Sequence, residues 1–363
     1  MSNNKVTIAD VARLANVSPS TVSNFLNGRT ERMRPDTRER VERAIAQLGY
    51  RPNQAARQLK TGHAPFIGLV VPSVANPFYG IFARHVEESA LANGYQVLLG
   101  NSDRDPERER RYAEELWSYG VRGMVFGSSL THLSHLADLI ERGLHVVAFD
   151  RPIQDADQVV IDGVGVDNAQ GMRLATRHLI GLGHRRIAFV SGPIRTVSRL
   201  DRLAGYKSAL TDAGIEPDPD LIWQGETREG FGDSGAVQLG RQAAHELLSL
   251  PNPPTAIITI NDMYAFGVYA GAKELGMSIP DDLSVVGFDD IDLTEVVEPP
   301  LTTIRQPIAD IAAKAVSLII TRLEGGQEMP YQYHVLPAQL IVRRSTARPR
   351  ELITHSIRRE GTS

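Results

Sequence analysis

The 363-residue sequence contains no cysteine, and aromatic residues make up only 6% of it. Without cysteine the chain has no disulfide bonds, no thiolate nucleophile, no iron–sulfur ligands and no cysteine-based zinc site. No apolar run approaches the roughly 18 residues of a membrane span. The opening segment Met1–Lys5 is polar, so we expect neither a signal peptide nor a membrane anchor. These absences predict a cytoplasmic protein that does not act at a membrane.

Motifs of the common enzyme classes are also missing. The sequence has no G-x-x-x-x-G-K-[ST] phosphate loop, no H-E-x-x-H zinc motif and no G-x-G-x-x-G between a strand and a helix. The ten histidines show no metal-ligand spacing. Gly232–Gly235 has the residues of a serine-protease nucleophile loop but lies in a helical connection. We therefore expect no enzyme activity, no catalytic residues, no metal and no cofactor.

The net charge of −4 is unevenly distributed along the chain. Residues 1–60 carry eleven basic and five acidic side chains, a net +6, which leaves −10 on the other 303 residues. A small basic segment on an acidic body is expected when only one domain meets a polyanion such as DNA. A solvated, charged helix face is an alternative explanation of the same charge distribution.

Residues 1–49 have the pattern of three short helices. Thr7–Asp10 has the form of a capping box at the start of the first helix. Ser18-Pro19 is typical of an N-cap followed by a first helical residue, which predicts a second helix over roughly Pro19–Leu26. A third helix should end at Gly49. Two short helices joined by a tight turn form a helix-turn-helix, whose second helix enters the DNA major groove, although an ordinary helical hairpin has the same outline.

Three segments in this region carry a recognisable motif: Val6–Ser23, Thr37–Val41 and Leu48–Asn53. They closely resemble the DNA-binding head of the lactose/galactose repressor (LacI/GalR) family. The similarity runs without a gap across about the first 60 residues and continues to about Ser345. The resemblance implies a sequence-specific DNA-binding transcriptional regulator, most often a repressor, that a small effector controls.

The resemblance also assigns roles within the head. The outward residues of the second helix are Pro19, Ser20, Thr21 and Asn24, of which the first two and the last fall where the family reads bases. The positions that match phosphate contacts are Thr7, Ser18, Ser23, Asn27 and Tyr50. Position 24 departs from the arginine common in the family. Because asparagine pairs with adenine whereas arginine prefers guanine, we expect a different operator half-site, unless Asn24 contacts only phosphate.

Asn53–Gly62 is helical in composition but shorter than the roughly 12–15 residues that an isolated helix needs. It resembles the family's hinge helix, which orders on the operator and pairs with its dimer mate in the minor groove. The DNA contacts expected here are Asn53, Ala56 and Leu59. Leu59 would wedge into the central base step and bend the duplex. A plain linker is the alternative, but it would need no apolar residue at its exposed end.

From Pro65 onward, apolar runs alternate with amphipathic helical stretches, which predicts an α/β body with parallel sheets. The expected strands are Phe66–Val71, Tyr95–Leu99, Met124–Phe126, His145–Phe149, Arg186–Val190, Ala256–Ile260 and Ser284–Phe288. The chain is expected to cross between two half-bodies at Asp162–Val166 and to return at Thr302–Pro307. This arrangement is similar to the two-lobed periplasmic-binding-protein-like (type I) fold, which binds a ligand between its lobes at the carboxyl ends of strands.

Polar or aromatic residues follow these strand ends, where a ligand is expected. By resemblance, Arg202 and Asp289 match the pair that grips ligand hydroxyls, Asp150 and Asn261 match further polar contacts, and Ser198 matches a secondary one. The remaining candidates are Gly127, Phe78 or Tyr79 as an apolar face for a ring, and Phe231 as an aromatic stacking residue. Each polar residue has a simpler explanation as a helix cap, which we favour for Asp262.

The sequence thus predicts five segments: a helix-turn-helix head (1–50), a hinge (51–64), a first lobe (65–164 with 304–330), a second lobe (165–303 with 331–346) and a tail (347–363). One recognition helix covers few base pairs, so we expect a homodimer on a pseudo-palindromic double-stranded DNA operator, bound to the bacterial nucleoid. The tail lacks a leucine heptad, which argues against a tetramer. The expected effector is a sugar or sugar derivative that releases DNA. The alternatives are a corepressor such as a purine, or a stand-alone sugar-binding receptor.

Overall fold

The computed structural model describes residues 6–26, 30, 33–50, 65–155, 157–225, 235–325 and 329–350. The chain divides into two compact units, Met1–Ala64 and Pro65–Ser363. Some predicted site residues lie outside the described residues: Asn27, Asn53, Ala56, Leu59 and Phe231. The tail after residue 350 lies outside them as well.

The described residues of the first unit form the helices α1 (Ile8–Ala15), α2 (Pro19–Leu26) and α3 (Pro35–Leu48). Their small core is made of the buried side chains Val11, Ala12, Ala15, Val22, Val41 and Ala44. The turn between α1 and α2 starts at Asn16, whose φ of 53° is left-handed, a conformation that asparagine tolerates better than most residues. Arg40 of α3 donates to the Ala15 carbonyl over 3.1 Å, which ties α3 to the end of α1. The predicted bounds of α2 agree with the structure.

The second unit begins with a lobe of alternating strands and helices. Its elements are β1 (Phe66–Val71), α4 (Pro77–Ala92), β2 (Gln96–Asn101), α5 (Pro106–Ser118), β3 (Gly123–Phe126), α6 (Ala137–Glu141), β4 (His145–Phe149) and β5 (Asp162–Val166). A 3₁₀ turn, Ser134–Leu136, precedes α6. All strand pairings in this lobe are parallel, and apolar cores cover both faces of the sheet.

A second lobe follows with the same alternation. Its elements are α7 (Asn168–Gly181), β6 (Ile187–Ser191), α8 (Val197–Asp212), β7 (Ile222–Gln224), α9 (Ala236–Leu248), β8 (Ala256–Thr259), α10 (Asp262–Glu274), β9 (Ser284–Val286) and α11 (Leu293–Val296). The sheet is parallel, in the order β7-β6-β8-β9. Each of the seven predicted strands is present, within two residues at either end.

The chain then returns to the first lobe through β10 (Thr303–Arg305) and α12 (Ile308–Leu323), and continues into β11 (Tyr333–Leu336) and β12 (Gln339–Ile341). The predicted assignment of 331–346 to the second lobe is wrong for β11. This strand pairs in parallel with β5 and completes a six-stranded sheet in the order β11-β5-β4-β3-β1-β2. The reason is geometric: α12 packs on the first sheet, so the strand that follows it joins the edge of that sheet.

After β11 the chain crosses back to the second lobe. β12 pairs antiparallel with β10, and Ser345 donates to the Val285 carbonyl over 2.6 Å at the edge of the second sheet. The predicted fold class, a helix-turn-helix head followed by a two-lobed α/β body with parallel sheets, is confirmed. Among the described residues, no helix is long and apolar enough to cross a membrane.

Candidate functional site

The carboxyl ends of the strands of both lobes face a narrow cleft. Eight of the predicted effector-binding residues line it: Phe78, Tyr79, Gly127, Asp150, Ser198, Arg202, Asn261 and Asp289. The space that remains between them is about 30 Å³. That is far below the roughly 300–1,000 Å³ of a typical ligand pocket. The structure therefore holds the two lobes in a closed arrangement.

Arg202 of α8 lies at the centre of the cleft and is 7% exposed. Its guanidinium donates to the Asn168 side chain over 2.7 Å and to the Ile260 carbonyl over 2.6 Å. The same group lies 3.7 Å from the Asp150 carboxylate and 3.9 Å from that of Asp289. Its guanidinium carbon also lies over the Phe288 ring, 3.6 Å from the ring centroid. These contacts fix a planar fork of donors in one orientation, as recognition of a polar ligand requires.

Asp150 and Asp289 both follow strands and both have a positive φ, 58° and 122° respectively. Such backbone conformations are uncommon for residues other than glycine and tend to occur where a side chain must be aimed at a site. The Asp150 carboxylate accepts from the Val166 amide over 3.1 Å. Burial raises the pKa of Asp150, although Arg202 opposes the shift. Asp289 accepts from the Gln306 side chain over 2.8 Å, so each carboxylate is held by a separate donor.

An aromatic wall closes the side of the cleft that belongs to the first lobe. Asn76 caps α4 by accepting from the Phe78 amide over 3.1 Å, and Pro77 occupies the first turn. The Phe78 ring stacks on Phe149, with 5.8 Å between ring centroids, and meets the Tyr79 ring edge-on at 5.1 Å. Asn76, one of the polar residues expected to follow the strand ends, also lines the cleft, and so does Phe149, which was not predicted.

Two arginines in the cleft were missed by the sequence analysis. Arg104, in the loop after β2, is 6% exposed and donates to the Tyr79 hydroxyl over 3.2 Å. Arg199, one helical turn before Arg202 on α8, is 4% exposed and donates to the Pro193 carbonyl over 2.7 Å. The sequence contains a signal that could have placed each of them in the cleft. Arg104 follows a strand end as the other candidates do, and Arg199 has the spacing that places it on the same helix face as Arg202.

Ser129, which was also missed, connects the two lobes. Its hydroxyl accepts from the Ser198 amide over 3.1 Å and donates to the Asp150 carbonyl over 2.6 Å. Its own carbonyl accepts from the Val197 amide over 2.9 Å. A residue of the first lobe thus bonds the first turn of α8 in the second lobe, next to the predicted contact Ser198. We call these three hydrogen bonds the Ser129 latch.

Two polar residues lie at the start of α10, and only Asn261 is its N-cap, so the cap expected at Asp262 is wrong. Asn261 accepts from the Tyr264 amide over 3.2 Å, so it caps the helix as well as lining the cleft. Asp262 lies outside the cleft lining, accepts from the Thr303 hydroxyl over 2.6 Å and accepts from the Ile291 amide over 3.0 Å. Burial, together with neighbouring Asp289, raises the pKa of Asp262 well above its usual value. Its role is to join α10 to the returning chain.

The outer face of α2 presents the predicted base-reading residues to solvent. Pro19, Ser20 and Asn24 are exposed, whereas Thr21 and Ser23 are half-buried. Ser18 caps α2 by accepting from the Thr21 amide over 3.2 Å, and its hydroxyl also bonds that of Ser20.

Thr7 and Tyr50, the other described residues predicted to contact DNA phosphates, differ in their exposure to solvent. Thr7 is exposed at the start of α1, where its amide and hydroxyl donate to Asp10 over 2.9 and 2.7 Å. These bonds lower the pKa of Asp10. Tyr50 is half-buried and packs against the core of the head.

Comparison with known proteins identifies both units. Residues 7–53 match the model for bacterial regulatory proteins of the lacI family, and residues 176–346 match a periplasmic binding protein-like domain. The HTH-type transcriptional regulator DegA of Bacillus subtilis (strain 168) is 35% identical over 343 residues, which cover 94% of this chain and 98% of DegA. The chain belongs to the LacI family. This LacI-family protein is a DNA-binding transcriptional regulator, and the predictions of family and of a regulator rather than an enzyme are confirmed.

Solved structures agree with this assignment. The lac repressor dimer bound to operator and the anti-inducer ONPF matches with a TM-score of 0.78 and 29% identity, covering 95% of this chain and 100% of that one. The complex of the transcriptional regulator CelR with cellobiose matches with a TM-score of 0.67 and 31% identity, covering 94% and 99%. The LacI-family chain is therefore similar to these regulators over almost its whole length.

Proposed function

We propose that this protein is a transcriptional repressor that binds a pseudo-palindromic operator as a homodimer and is released when a sugar or sugar derivative binds between its lobes. The observation that carries the proposal is the position of Arg202, which lies within 4 Å of a carboxylate from each lobe. A guanidinium beside acceptor side chains can hold vicinal hydroxyls, and the wall of Phe78 and Tyr79 suits a sugar ring. The cellobiose-bound CelR supports a ligand of this class.

Operator recognition is assigned to α2 and its surroundings. Pro19, Ser20 and Asn24 are exposed on one face of a helix that is only eight residues long, so one head reads few base pairs. A second copy related by a two-fold axis doubles the site, which favours a homodimer. The similarity to a lac repressor dimer on operator supports this assignment. The hinge contacts Asn53, Ala56 and Leu59 remain part of the proposal.

The closed cleft suggests how the effector acts. A space of about 30 Å³ cannot hold a sugar, whereas ligand pockets typically measure about 300–1,000 Å³. Entry therefore requires that the lobes separate and that the Ser129 latch breaks. The effector changes DNA affinity only through its different affinity for the two lobe arrangements, and operator must change effector affinity by the same factor.

The experiment combines operator selection with ligand screening. A random DNA library is selected with the full-length protein, and the recovered site is expected to be an inverted repeat. Sugars, sugar acids, sugar phosphates, nucleosides and purines are then screened by thermal shift, because a ligand of the native state raises the melting temperature. A compound that binds and releases DNA supports the proposal. A recovered site without two-fold symmetry contradicts the homodimer, and a ligand that tightens DNA binding contradicts release.

A truncated chain separates the two activities. Residues 65–363 form a compact unit of their own, so this chain should lose operator binding and keep ligand-induced stabilisation. In the full chain, Leu59→Ala should weaken specific binding much more than non-specific binding, which depends on phosphate contacts and salt. Equal losses of affinity for specific and random DNA would contradict the role of Leu59 as a wedge.

A further inference from the structure

We infer that the buried ion pair between Arg151 and Asp157 positions the Ser129 latch and so controls how readily the two lobes separate. Neither residue is among the described residues that line the cleft. The inference goes beyond the proposed function, because it concerns the lobes alone and its test needs neither effector nor DNA. Arg151 follows the cleft residue Asp150 after the end of β4, but its side chain contacts the loops beside the cleft.

The Arg151 guanidinium is bound to the loop that carries the latch. It donates to the Leu130 carbonyl over 2.5 Å and to the Thr131 carbonyl over 3.1 Å. The preceding residue contributes as well, since the Asp150 carbonyl accepts from the Ser129 hydroxyl over 2.6 Å. Residues 150 and 151 thus hold three consecutive residues, 129–131, beside the end of β4.

The same three-residue stretch makes contact with the second lobe. The Ser129 latch bonds the first turn of α8. Leu130 forms an isolated antiparallel bridge with Thr196, the residue that caps α8. The φ of Ser129 is 55°, a left-handed conformation that is uncommon for serine and persists only where surrounding contacts maintain it. The contact between the lobes therefore depends on how firmly residues 129–131 are held.

Asp157 fixes the orientation of Arg151. Its two carboxylate oxygens accept from the two terminal guanidinium nitrogens over 2.5 and 2.7 Å, which is the paired geometry that arginine and carboxylate favour. Asp157 also accepts from the Gln154 amide over 2.8 Å. Both side chains of the ion pair are only 1% exposed. Because little water can reach them, loss of either partner leaves the other charge buried and without its counterion.

Loss of the ion pair should weaken the closed arrangement more than the open one. In the closed arrangement, residues 129–131 must keep the conformation that meets α8. After the lobes separate, α8 no longer constrains these residues, so their carbonyls can turn toward water. Since an equilibrium shifts only by the difference between its two states, loss of Arg151 or Asp157 should increase the open population.

The test measures native-state hydrogen exchange of the full-length protein. The Val197 and Ser198 amides donate across the cleft to Ser129, so their exchange reports separation of the lobes even when the open form is rare. Exchange at Val125, in the buried strand β3, reports global unfolding. Asp157→Asn should accelerate exchange at the two latch amides about tenfold or more relative to Val125, because buried acceptors lose their donors.

Arg151→Lys is the second variant, in case Asp157→Asn does not fold. Lysine keeps a positive charge near Asp157, but a single ammonium group cannot replace the planar fork that also reaches the Leu130 and Thr131 carbonyls. The same acceleration at the latch amides is expected. If exchange at these amides stays at the wild-type rate in a folded variant, the inference is wrong.

Asp162→Asn is the matched control. Asp162 accepts from Arg322 over 2.7 Å, and their side chains are 2% and 5% exposed, so this is another buried aspartate–arginine pair of the first lobe. It lies at the amino end of β5, whereas the latch lies at the carboxyl ends of the strands. Asp162→Asn should destabilise the fold without changing exchange at the latch amides relative to Val125.

A double variant shows whether the ion pair acts through Ser129. In a Ser129→Ala background, Asp157→Asn should accelerate exchange of the Val197 amide less than it does in the wild type, because coupled residues are not additive. An equally large effect in both backgrounds, or equal effects of Asp157→Asn and Asp162→Asn at the latch amides, would overturn the inference. Either result leaves the sugar-controlled repressor proposed above intact.

Discussion

The guanidinium of Arg202 lies 3.7 Å from the carboxylate of Asp150, and the two residues belong to different lobes. The pair is buried, so each charge has little water to compensate for the loss of the other. A buried pair of this kind contributes little net stability, yet removing one partner is strongly destabilising because the remaining charge is isolated. The central residue of the proposed effector site is therefore also a structural connection between the lobes.

Two substitutions of Arg202 should separate its role in effector binding from its role in connecting the lobes. Arg202→Ala leaves Asp150 and Asp289 without their shared cation and should lower the free energy of unfolding by about 3–5 kcal/mol. Arg202→Lys keeps the charge but loses the planar fork, so it should retain most of the stability and lose the effector response. Urea unfolding and effector-dependent DNA release measure the two effects.

Arg177→Ala is the control for Arg202. Arg177 is half exposed and pairs with Asp212 on the surface at 3.0 Å, where such pairs contribute about 0–1 kcal/mol. A normal effector response in Arg202→Lys would show that the ligand lies elsewhere.

Breaking the Ser129 latch should favour the open arrangement. Ser129→Ala removes the acceptor of the Ser198 amide and the donor to the Asp150 carbonyl, which should cost about 1–3 kcal/mol in the closed state. We expect a corresponding change in the lobe equilibrium, measured by small-angle scattering and by effector affinity. Ser128→Ala, at the adjacent buried serine, is the control. Equal behaviour of the two variants would contradict the latch.

The buried carboxyl of Asp262 predicts a pH dependence of stability. Its pKa is raised in the folded protein, so the folded state holds its proton at a pH where the unfolded chain has lost it. The contribution of this group to stability therefore increases as pH falls through the folded pKa toward the unfolded one. The stability advantage of Asp262→Asn over the wild type should be greatest at alkaline pH and should decrease as pH falls through the folded pKa of Asp262. An advantage that is independent of pH, measured by thermal unfolding, would contradict the raised pKa.

The identity of residue 24 should determine the preferred base at one position of each operator half-site. Asn24→Arg should change the preferred base at one position of each half-site from adenine to guanine, with a discrimination of about 1–3 kcal/mol. Selection from a random library compares wild type and variant. Gln47→Arg adds the same charge at an exposed site on α3 and should leave the selected sequence unchanged. An unchanged preference in Asn24→Arg would indicate that residue 24 contacts only phosphate.

The elements with strong local signals were predictable from the sequence. Ser18 and Pro19 mark the start of α2 so clearly that its first residue followed from capping chemistry alone. The continuous apolar run Phe66–Val71 identified β1 because a strand covered on both faces has no polar alternation. Eight effector candidates converge on one cleft because parallel strands end at the same edge of a sheet.

The features that depend on distant parts of the chain were not predictable in the same way. Tyr333–Leu336 has no pattern that shows which of two sheets it joins, since that depends on where α12 packs. The Ser129 hydroxyl accepts from the Ser198 amide across 69 positions of sequence, and a backbone donor leaves no residue signature.

The late position of β11 has a consequence for synthesis on the ribosome. Until residues 333–336 emerge, β5 forms an open edge of the first sheet, with backbone groups that can pair with another chain. Nearly the entire protein must therefore be translated before the first lobe is complete, although that lobe begins at β1. The head has no such dependence, since its described helices, α1 to α3, lie within the first 48 residues. A nascent chain can thus contain a finished DNA-reading module well before it contains a body that can respond to an effector.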